Sequence, residues 1–401
     1  MRIGIFTDFY KPSINGVTNS VENFRVELEK RGHEVFIFAP NIPGYKKERK
    51  VYRLPSVDEF SPKNSPIAIP IMPIISRVIK PLKLDIIHTQ IPFPVGYLGH
   101  RAAQKLNIPE VHTYHTHLTE YAHYFPSEIL QPLVKFGLKK IVKVFCNNCD
   151  VVVAPSTAIK DLLKSYGVRS PIIVNQSGIK LNEFRKLTPE EKHKLFSQYQ
   201  IPENENILLF AGRLAPEKNI LFLINTFRKI IKTEPETYLI IAGGGPSEEM
   251  LRQKVTELGL ENQVKITGFL EKELMSKFFG AADIFVFPSL TETQGLVICE
   301  ALASELPVVA INAMGQKDLI KNNVNGFLVA NRQVDFAEKI LDLIHRPSLR
   351  NRIIHAAKIS SKQFSVEKRT DKLISIYQKT IVEHKAHHHS TILSRLFDYF
   401  K

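Results

Sequence analysis

The sequence predicts an α/β protein built as two doubly wound, Rossmann-like domains facing a cleft. Three observations predict it. Short apolar runs rich in Ile, Val and Phe alternate with stretches of helical period along most of the 401 residues, the pattern of parallel strands covered by helices. The alternation breaks in an irregular, polar segment at about 177–205 and then restarts. The chain is also 44% hydrophobic and 23% charged, a globular balance, and its length suits two or three cores.

The elements follow in order. Residues 2–7 read as a buried strand, 8–16 as a loop, 17–31 as a helix stopped by Gly32, and 35–39 as the next strand, so the chain opens with a βαβ unit. Further strands are expected at 51–54, 85–89, 111–114 and 151–154, with helices at 94–106 and 156–166. After the break, strands at 207–211, 238–242, 264–267, 284–287 and 308–311 alternate with helices at 220–233, 248–258 and 296–304. The expected domains are 1–178 and 179–364, with a last helix at about 365–401 packing back on the first.

Composition excludes several classes. Three cysteines cannot frame a disulfide scaffold and fit a reducing compartment. Cys146 and Cys149 have no second pair and no histidine couple nearby in sequence, which argues against zinc. The apolar run at the N-terminus is too short for a signal peptide, and no stretch reaches the ~18 apolar residues of a spanning helix; a cytoplasmic protein is expected. The net charge of +14 is uneven: residues 1–180 hold 24 Lys and Arg against 14 Asp and Glu. A basic first half points to an anionic partner, either phosphates, nucleic acid or an acidic membrane surface. Nucleic acid is disfavoured, because no binding motif appears and aromatic residues do not interleave with the basic runs.

The stretch 287–307, FPSLTETQGLVICEALASELP, concentrates the chemistry. A strand ends at Pro288, a polar loop carries Glu292, and Gly295 lies where a helix would begin. Were that helix to start near residues 293–295, Glu292 would sit at its mouth and Glu300 about one and a half turns inside, roughly 8 to 9 Å along the axis. One carboxylate could then meet each end of a polar ligand at the helix N-terminus, where unpaired N–H groups and partial positive charge collect. Equally, both are ordinary helix-face glutamates. Arg213 and Lys218 leave the strand at 207–211 on a loop and suit a diphosphate, or are two solvated charges. Gly243-Gly244-Gly245-Pro246 permits close backbone approach, as a tight turn also would. Asn15-Gly16 precedes the first helix, again a phosphate approach or a plain turn, and it is not GxGxxG. His115 or His117 ends a strand as a polar contact, proton carrier or structural residue. There is no Asp-x-Asp, and His387, His388 and His389 have no carboxylate or Cys at ligand spacing; neither cofactor nor catalytic metal is expected.

Together Arg213-x4-Lys218, Gly243-Gly244-Gly245-Pro246, Phe287-Pro288-Ser289, Glu292-x7-Glu300, Asn15-Gly16-Val17 and Phe364-Ser365-Val366-Glu367 resemble the retaining glycosyltransferases of family 4, of GT-B fold, over nearly the whole chain. The resemblance implies that a nucleotide-sugar is held mainly by the second domain. Arg213 and Lys218 would hold its diphosphate, and Glu292 would touch the sugar. Thr293, Gln294, Gly295 and Leu296 would line it, and Glu300 would bind the ribose. Gly16 would let the first loop close over the phosphates, and His115 matches a histidine near sugar and acceptor. Tyr114-His115-Thr116, Tyr121, Tyr124 and Gln294 look most like the diacylglycerol glucosyltransferases, which implies UDP-glucose as donor, 1,2-diacylglycerol as acceptor and a peripheral place on the inner membrane face. The alternatives are another lipid such as a phosphoinositide, a soluble glycan precursor, or a sugar-nucleotide epimerase of the same architecture. Three stretches suit an anionic membrane: 130–145 with Lys135, Lys139, Lys140 and Lys143, the tail 392–401, and the Pro-rich 61–73 with Ile67, Ile69, Ile71 and Met72. Each could instead pack on the protein.

Overall fold

A computed structural model describes residues 1–13, 15–57, 66–115, 130–203 and 206–399, with the backbone alone for 387–399. The chain divides into two compact units, Met1–Gly178 with Val366–Lys401, and Ile179–Ser365.

The first unit is built on a seven-stranded parallel sheet. Its strands are β1 (Arg2–Phe6), β2 (Glu34–Pro40), β3 (Val51–Leu54), β6 (Ile86–Thr89), β7 (Glu110–Thr113), β8 (Val151–Ala154) and β9 (Ile172–Val174), and a small antiparallel pair, β4 (Ser56–Val57) and β5 (Ile67–Ala68), stands apart. The order β3-β2-β1-β6-β7-β8-β9 reverses direction between β1 and β6, so a crevice opens beyond their carboxyl ends. The strands are apolar on both faces, because helices cover both. The helices are α1 (Gly16–Lys30), α2 (Pro94–Leu106), α3 (Gln131–Asn147), α4 (Thr157–Ser165) and the last helix of the chain (Val366–Tyr399). That last helix buries Leu373, Ile376 and Tyr377 with Val21 and Leu28 of α1 against Ile3, Ile5 and Val35. Tyr377 is fully buried, and its hydroxyl lies 2.6 Å from His88 Nδ1, while His88 Nε2 lies 2.7 Å from Thr113 Oγ1. Two hydrogen bonds thus tie the last helix through β6 to the end of β7.

The second unit has a six-stranded parallel sheet of β10 (Asn206–Ala211), β11 (Thr237–Ala242), β12 (Val264–Gly268), β13 (Ile284–Phe287), β14 (Val308–Ile311) and β15 (Gly326–Val329), in the order β12-β11-β10-β13-β14-β15. Its reversal falls between β10 and β13. Helices α5 (Pro189–Tyr199), α6 (Ile220–Ile230), α7 (Glu248–Glu257), α8 (Lys272–Ala281), α9 (Leu296–Ala303), α10 (Gln316–Leu319), α11 (Gln333–His345) and α12 (Pro347–Ser361) surround it, the last helix of the chain becoming α13.

The stretch expected to be irregular at 177–205 contains α5. Thr188 accepts from the N–H of Glu191 while Glu191 accepts from that of Thr188, a capping box that starts a helix despite its polar surface. Among the described residues no helix is long and apolar enough to cross a membrane. Replacing Tyr377 by Phe leaves a buried His88 nitrogen without its partner, and urea unfolding is expected to register a loss of roughly 1–3 kcal/mol.

Candidate functional site

In the second unit the sequence candidates gather at the switch point. The loop after β10 begins at Gly212 and presents an exposed Arg213, which has no acidic partner among the described residues. A single 3-10 turn, Pro216–Lys218, then delivers Lys218, and Asn219 in the left-handed region starts α6. Asn219 Nδ2 donates to the Pro288 carbonyl at 3.3 Å, which ties this loop to the one after β13.

Across that seam Lys218 Nζ and Glu292 Oε2 form an ion pair of 2.5 Å, with side chains 17% and 19% exposed. The ammonium also lies 5.8 Å from the Phe287 ring centroid. The residue expected to hold phosphate and the one expected to touch sugar thus hold each other. The Gly315 N–H donates to the Glu292 carbonyl at 3.0 Å, and the buried Gln316 donates to the Ser289 carbonyl at 2.7 Å, so the 289–295 loop is fastened from beneath.

The helix occupies the expected run and does not begin early at 293–295. Gly295 takes φ +87° as N-cap, and α9 begins only at Leu296, four residues after Glu292. Glu292 therefore stands on the loop rather than in the helix mouth, and Glu300 is the fifth helical residue, roughly 6 Å along from the first. A left-handed N-cap glycine carries no side chain to cap the helix, and no side-chain cap is made, so the first N–H groups from Leu296 onward are the open end of α9. Gln294 is buried and Thr293 half-buried beside it. Glu300 is half-buried, and burial pushes its carboxyl up to about 7, with Lys272 opposing the shift and Glu183 adding to it.

In the first unit the corresponding end of the sheet holds Gly16 and His115. Gly16 is the first residue of α1, whose N-cap Asn15 accepts from the Thr18 N–H at 2.9 Å. A Cβ at Gly16 would meet no atom of this structure within 4 Å, and the first turn holds no acidic residue. The helix end is thus open and electropositive. His115 follows β7; its Nε2 lies 2.7 Å from Gln90 Oε1, and burial lowers its pKa to about 4. The suggested partners Thr116, His117, Tyr121 and Tyr124 lie outside the described residues, as do residues 61–65 of the Pro-rich stretch and the side chains of the tail at 392–401.

Sequence reasoning missed two groups here. Gln90 sits at the end of β6, and nothing in its neighbours signals a partner 25 residues away. Asp8, just past β1, accepts from the N–H groups of Val95 at 3.0 Å and Gly96 at 3.3 Å. It caps α2 from outside, since the residue at the cap position is Phe93. A helix opening Phe-Pro without a polar cap was the available clue.

Sequence spacing also showed no histidine near Cys146 and Cys149, but the fold supplies one. The ligating atoms of His100, Glu110 and Cys149, all buried, lie within 4.8 Å of one another. Two of the three are joined by a hydrogen bond. Gln104 Nε2 reaches His100 Nε2 at 3.0 Å, so His100 donates from Nδ1 to Glu110 at 2.6 Å, and Thr89 donates to the other carboxylate oxygen at 2.9 Å.

Two doubly wound units, each with polar groups collected where its strand order reverses, and a cation loop beside a carboxylate loop in the second, define a two-domain α/β enzyme of nucleotide-type ligands. Comparison with known proteins makes the class specific. Residues 14–183 match "Glycosyltransferase Family 4" and residues 191–360 match "Glycosyl transferases group 1". The chain is 35% identical over 355 residues to an alpha-monoglucosyldiacylglycerol synthase of Streptococcus pneumoniae, covering 87% of this chain and 80% of that one. It is 29% identical over 378 residues to the enzyme of the same name from Acholeplasma laidlawii, covering 92% and 94%. The HepE protein of Anabaena, crystallised with UDP and glucose, superposes with a TM-score of 0.75 at 22% identity, over 94% of this chain and 100% of that one. The chain belongs to glycosyltransferase family 4: it is a hexosyltransferase of GT-B fold.

Burial pushes the Asp8 carboxyl from its ordinary 3.8 up to about 7, against the pull of its two backbone donors. The folded protein therefore keeps a proton that the unfolded chain has already released, and this contribution to stability is full below about pH 4 and lost as pH rises towards 7. Asp8→Asn is expected to flatten the slope of unfolding free energy across that window, as followed by denaturant titration at several pH values; an unchanged slope would show that Asp8 ionises normally.

Proposed function

We propose that this glycosyltransferase moves glucose from UDP-glucose to 1,2-diacylglycerol, with retention at the anomeric carbon, on the anionic inner face of the cell membrane. The observation that carries this reading is the kinship, over most of both chains, with two enzymes each named alpha-monoglucosyldiacylglycerol synthase.

In this reading the donor lies across the open end of α9. Its diphosphate displaces Glu292 from Lys218 and gathers Arg213 as well. The departing nucleoside diphosphate gains negative charge as the anomeric bond breaks, and two cations already in place favour that charge without a metal or other cofactor. The freed Glu292 faces the sugar, which becomes oxocarbenium-like, and stabilises it by charge and position; no covalent nucleophile is assigned. The backbone N–H groups near Gly295 and Leu296 help hold the sugar, Thr293 and Gln294 line it, and Glu300 takes the ribose. In the first unit, taken by itself, the open end of α1 at Gly16 suits an anion, and neutral His115 suits an acceptor hydroxyl.

Two surfaces of the first unit support a membrane partner. On α3, Leu133 and Phe136 are each 66% exposed, and Lys135, Lys139, Lys140 and Lys143 are exposed without an acidic partner among the described residues. The helix buries only its distal end, at Val142, Phe145 and Cys146. The lip at Ile67, Ile69, Ile71 and Met72 is likewise exposed rather than a buried strand, and exposed Arg77, Lys80 and Lys83 follow it. Apolar side chains beside unpaired cations are what an anionic leaflet attracts.

The first test is release of nucleoside diphosphate from a panel of UDP- and GDP-sugars, with and without diacylglycerol in anionic vesicles. Turnover of UDP-glucose that depends on diacylglycerol is expected. Turnover without lipid dependence would discard the membrane acceptor, and turnover only with another lipid or a soluble glycan would replace it.

Lys218→Ala is expected to cut turnover by roughly 10²–10³-fold, the scale of losing one preorganised transition-state group. Glu292→Gln should slow transfer similarly yet bind UDP several-fold more tightly, because Lys218 no longer has to leave a carboxylate whose pairing is worth up to about 1 kcal/mol. Calorimetric titration with UDP checks this, and weaker binding by Glu292→Gln would show that the pair does not compete with phosphate. Changing Lys135, Lys139 and Lys140 together to Gln should weaken binding to anionic vesicles by about 1 kcal/mol per lysine, read by flotation at fixed salt.

A further inference from the structure

We propose that Lys11, Arg25 and Arg53 form a pocket for a phosphate group in the first unit, and that Glu48 occupies it as a displaceable plug. The three cations come from the loop after β1, from α1 and from β3, and they converge on one carboxylate of the loop between β2 and β3. Arg53 Nη2 stands 3.6 Å from Glu48 Oε1, while Arg25 Nη1 and Lys11 Nζ stand 3.6 and 3.8 Å from Oε2. None of these is a hydrogen bond, and the buried Oε1 accepts none from any described residue.

The cations themselves are fixed. Arg53 donates from Nη1 to the Pro40 carbonyl at 3.1 Å and from Nη2 to that of Lys11 at 2.7 Å. Its guanidinium lies 5.4 and 5.1 Å from the ring centroids of Tyr10 and Tyr45. Arg25 donates from Nη1 to the hydroxyl of the buried Tyr10 at 2.7 Å. Tyr10 in turn donates to Glu22 at 2.6 Å, and Lys11 reaches the other oxygen of Glu22 at 2.7 Å. Each nitrogen that faces Glu48 therefore keeps an N–H that no described residue accepts.

Glu22 is gripped, whereas Glu48 is not. Charge-assisted hydrogen bonds close to about 2.7–2.9 Å, a spacing that Lys11 and Glu22 reach and that Glu48 lacks. The two oxygens of a planar carboxylate leave one of three converging donors unmet, while a tetrahedral phosphate offers an oxygen to each. Burial also pushes the Arg53 guanidinium below its ordinary value, with Glu48 opposing only part of the shift, so a closer or more highly charged anion is favoured there. The Glu48 side chain is 24% exposed, on a loop where Lys46, Lys47 and Arg49 are exposed beside it, and a pair that solvent reaches costs little to open. The pocket lies on the β2 and β3 side of the first sheet, apart from the imidazoles at β6 and β7.

The phosphate can belong to a soluble ester or to a lipid headgroup, and the test separates the two. Inorganic phosphate and glycerol 3-phosphate are titrated calorimetrically into wild type, Glu48→Gln, Arg53→Gln and Glu34→Gln, the last removing an equal charge at the amino end of β2. Phosphate held by the second unit is common to all four proteins and cancels in the comparison. Binding to vesicles is read by flotation, with phosphatidylglycerol or with oleate at equal surface charge. Glu48→Gln is expected to tighten phosphate binding about fivefold by releasing a partly exposed pair. Arg53→Gln should weaken it roughly tenfold or more through loss of a charge-assisted hydrogen bond, and Arg53→Lys should restore part of it, which separates lost charge from lost fold. A gain in Glu48→Gln with the soluble phosphates alone assigns a soluble ester, and a gain with phosphatidylglycerol over oleate assigns a headgroup. Glu48→Gln and Glu34→Gln behaving alike towards every phosphate probe, or Arg53→Gln binding as wild type does, would overturn the pocket.

Discussion

Close backbone approach in the second unit is the constraint on which the rest of the candidate donor site depends. The loop after β10 and the loop after β11 run against each other main chain to main chain. Gly212 donates to the Ala242 carbonyl at 3.0 Å, Leu214 to Gly244 at 3.0 Å, and Ser247 to Leu214 at 2.9 Å. A Cβ on Gly243 would stand 1.9 Å from the Gly212 carbonyl oxygen, and one on Gly245 would stand 2.4 Å from that of Leu214. Those distances leave no room for a side chain, and Gly243 also takes φ +143°. The glycines therefore buy rigidity for the loop that presents Arg213 and Lys218, whose cations are useful only if they are in place before a ligand arrives.

On that rigid frame the two cations are held differently. Arg213 is exposed and has no acidic partner among the described residues, whereas Lys218 is paired with Glu292 in a half-buried setting. Pairing solves a folding problem, because an ammonium and a carboxylate left close to the Phe287 ring without partners would each carry a desolvation penalty. It also keeps the cost of opening small, since a pair that remains partly exposed is worth little net free energy. The same two residues can thus be stable against each other and available to a ligand that offers Lys218 a richer anion.

Much of this was legible in the sequence where local rules suffice. The alternation of strands and helices, the restart after the polar segment, and the positions of Arg213, Lys218 and Glu292 on loops after strands all follow from periodicity and Gly/Pro punctuation. The capping box Thr188-x-x-Glu191 was legible as well, yet the surrounding polarity hid α5. The glycine run after β11 was readable as a need for close approach but not as approach of the chain to itself. The run that became α9 was legible at 296–304, and the earlier start at 293–295 is closed because Gly295 serves as a left-handed N-cap, which puts Glu300 little more than one turn inside. Asp8 at the start of α2, Gln90 against His115, and the grouping of His100, Glu110 and Cys149 were beyond reach, since each joins residues that only the sheet order brings together.

The two ends of the chain's chemistry also differ in charge logic. The second unit offers fixed cations, while the carboxyl end of the first sheet offers polar groups that burial keeps uncharged. His88, His112 and His115 are all lowered by desolvation, and Asp8 is raised by it. Uncharged groups meet these three imidazoles: Tyr377 and Thr113 for His88, Thr89 for Nδ1 of His112, whose buried Nε2 has no partner among the described residues, and Gln90 for Nε2 of His115. A histidine cluster paired with carboxylates would carry positive charge into an apolar interior at high desolvation cost. Neutral donors and acceptors avoid that cost, and they suit a hydroxyl acceptor better than a phosphate. On physical grounds the sheet end of the first unit at β6 and β7 favours uncharged groups, and the cation loop of the second, taken by itself, favours anionic ones.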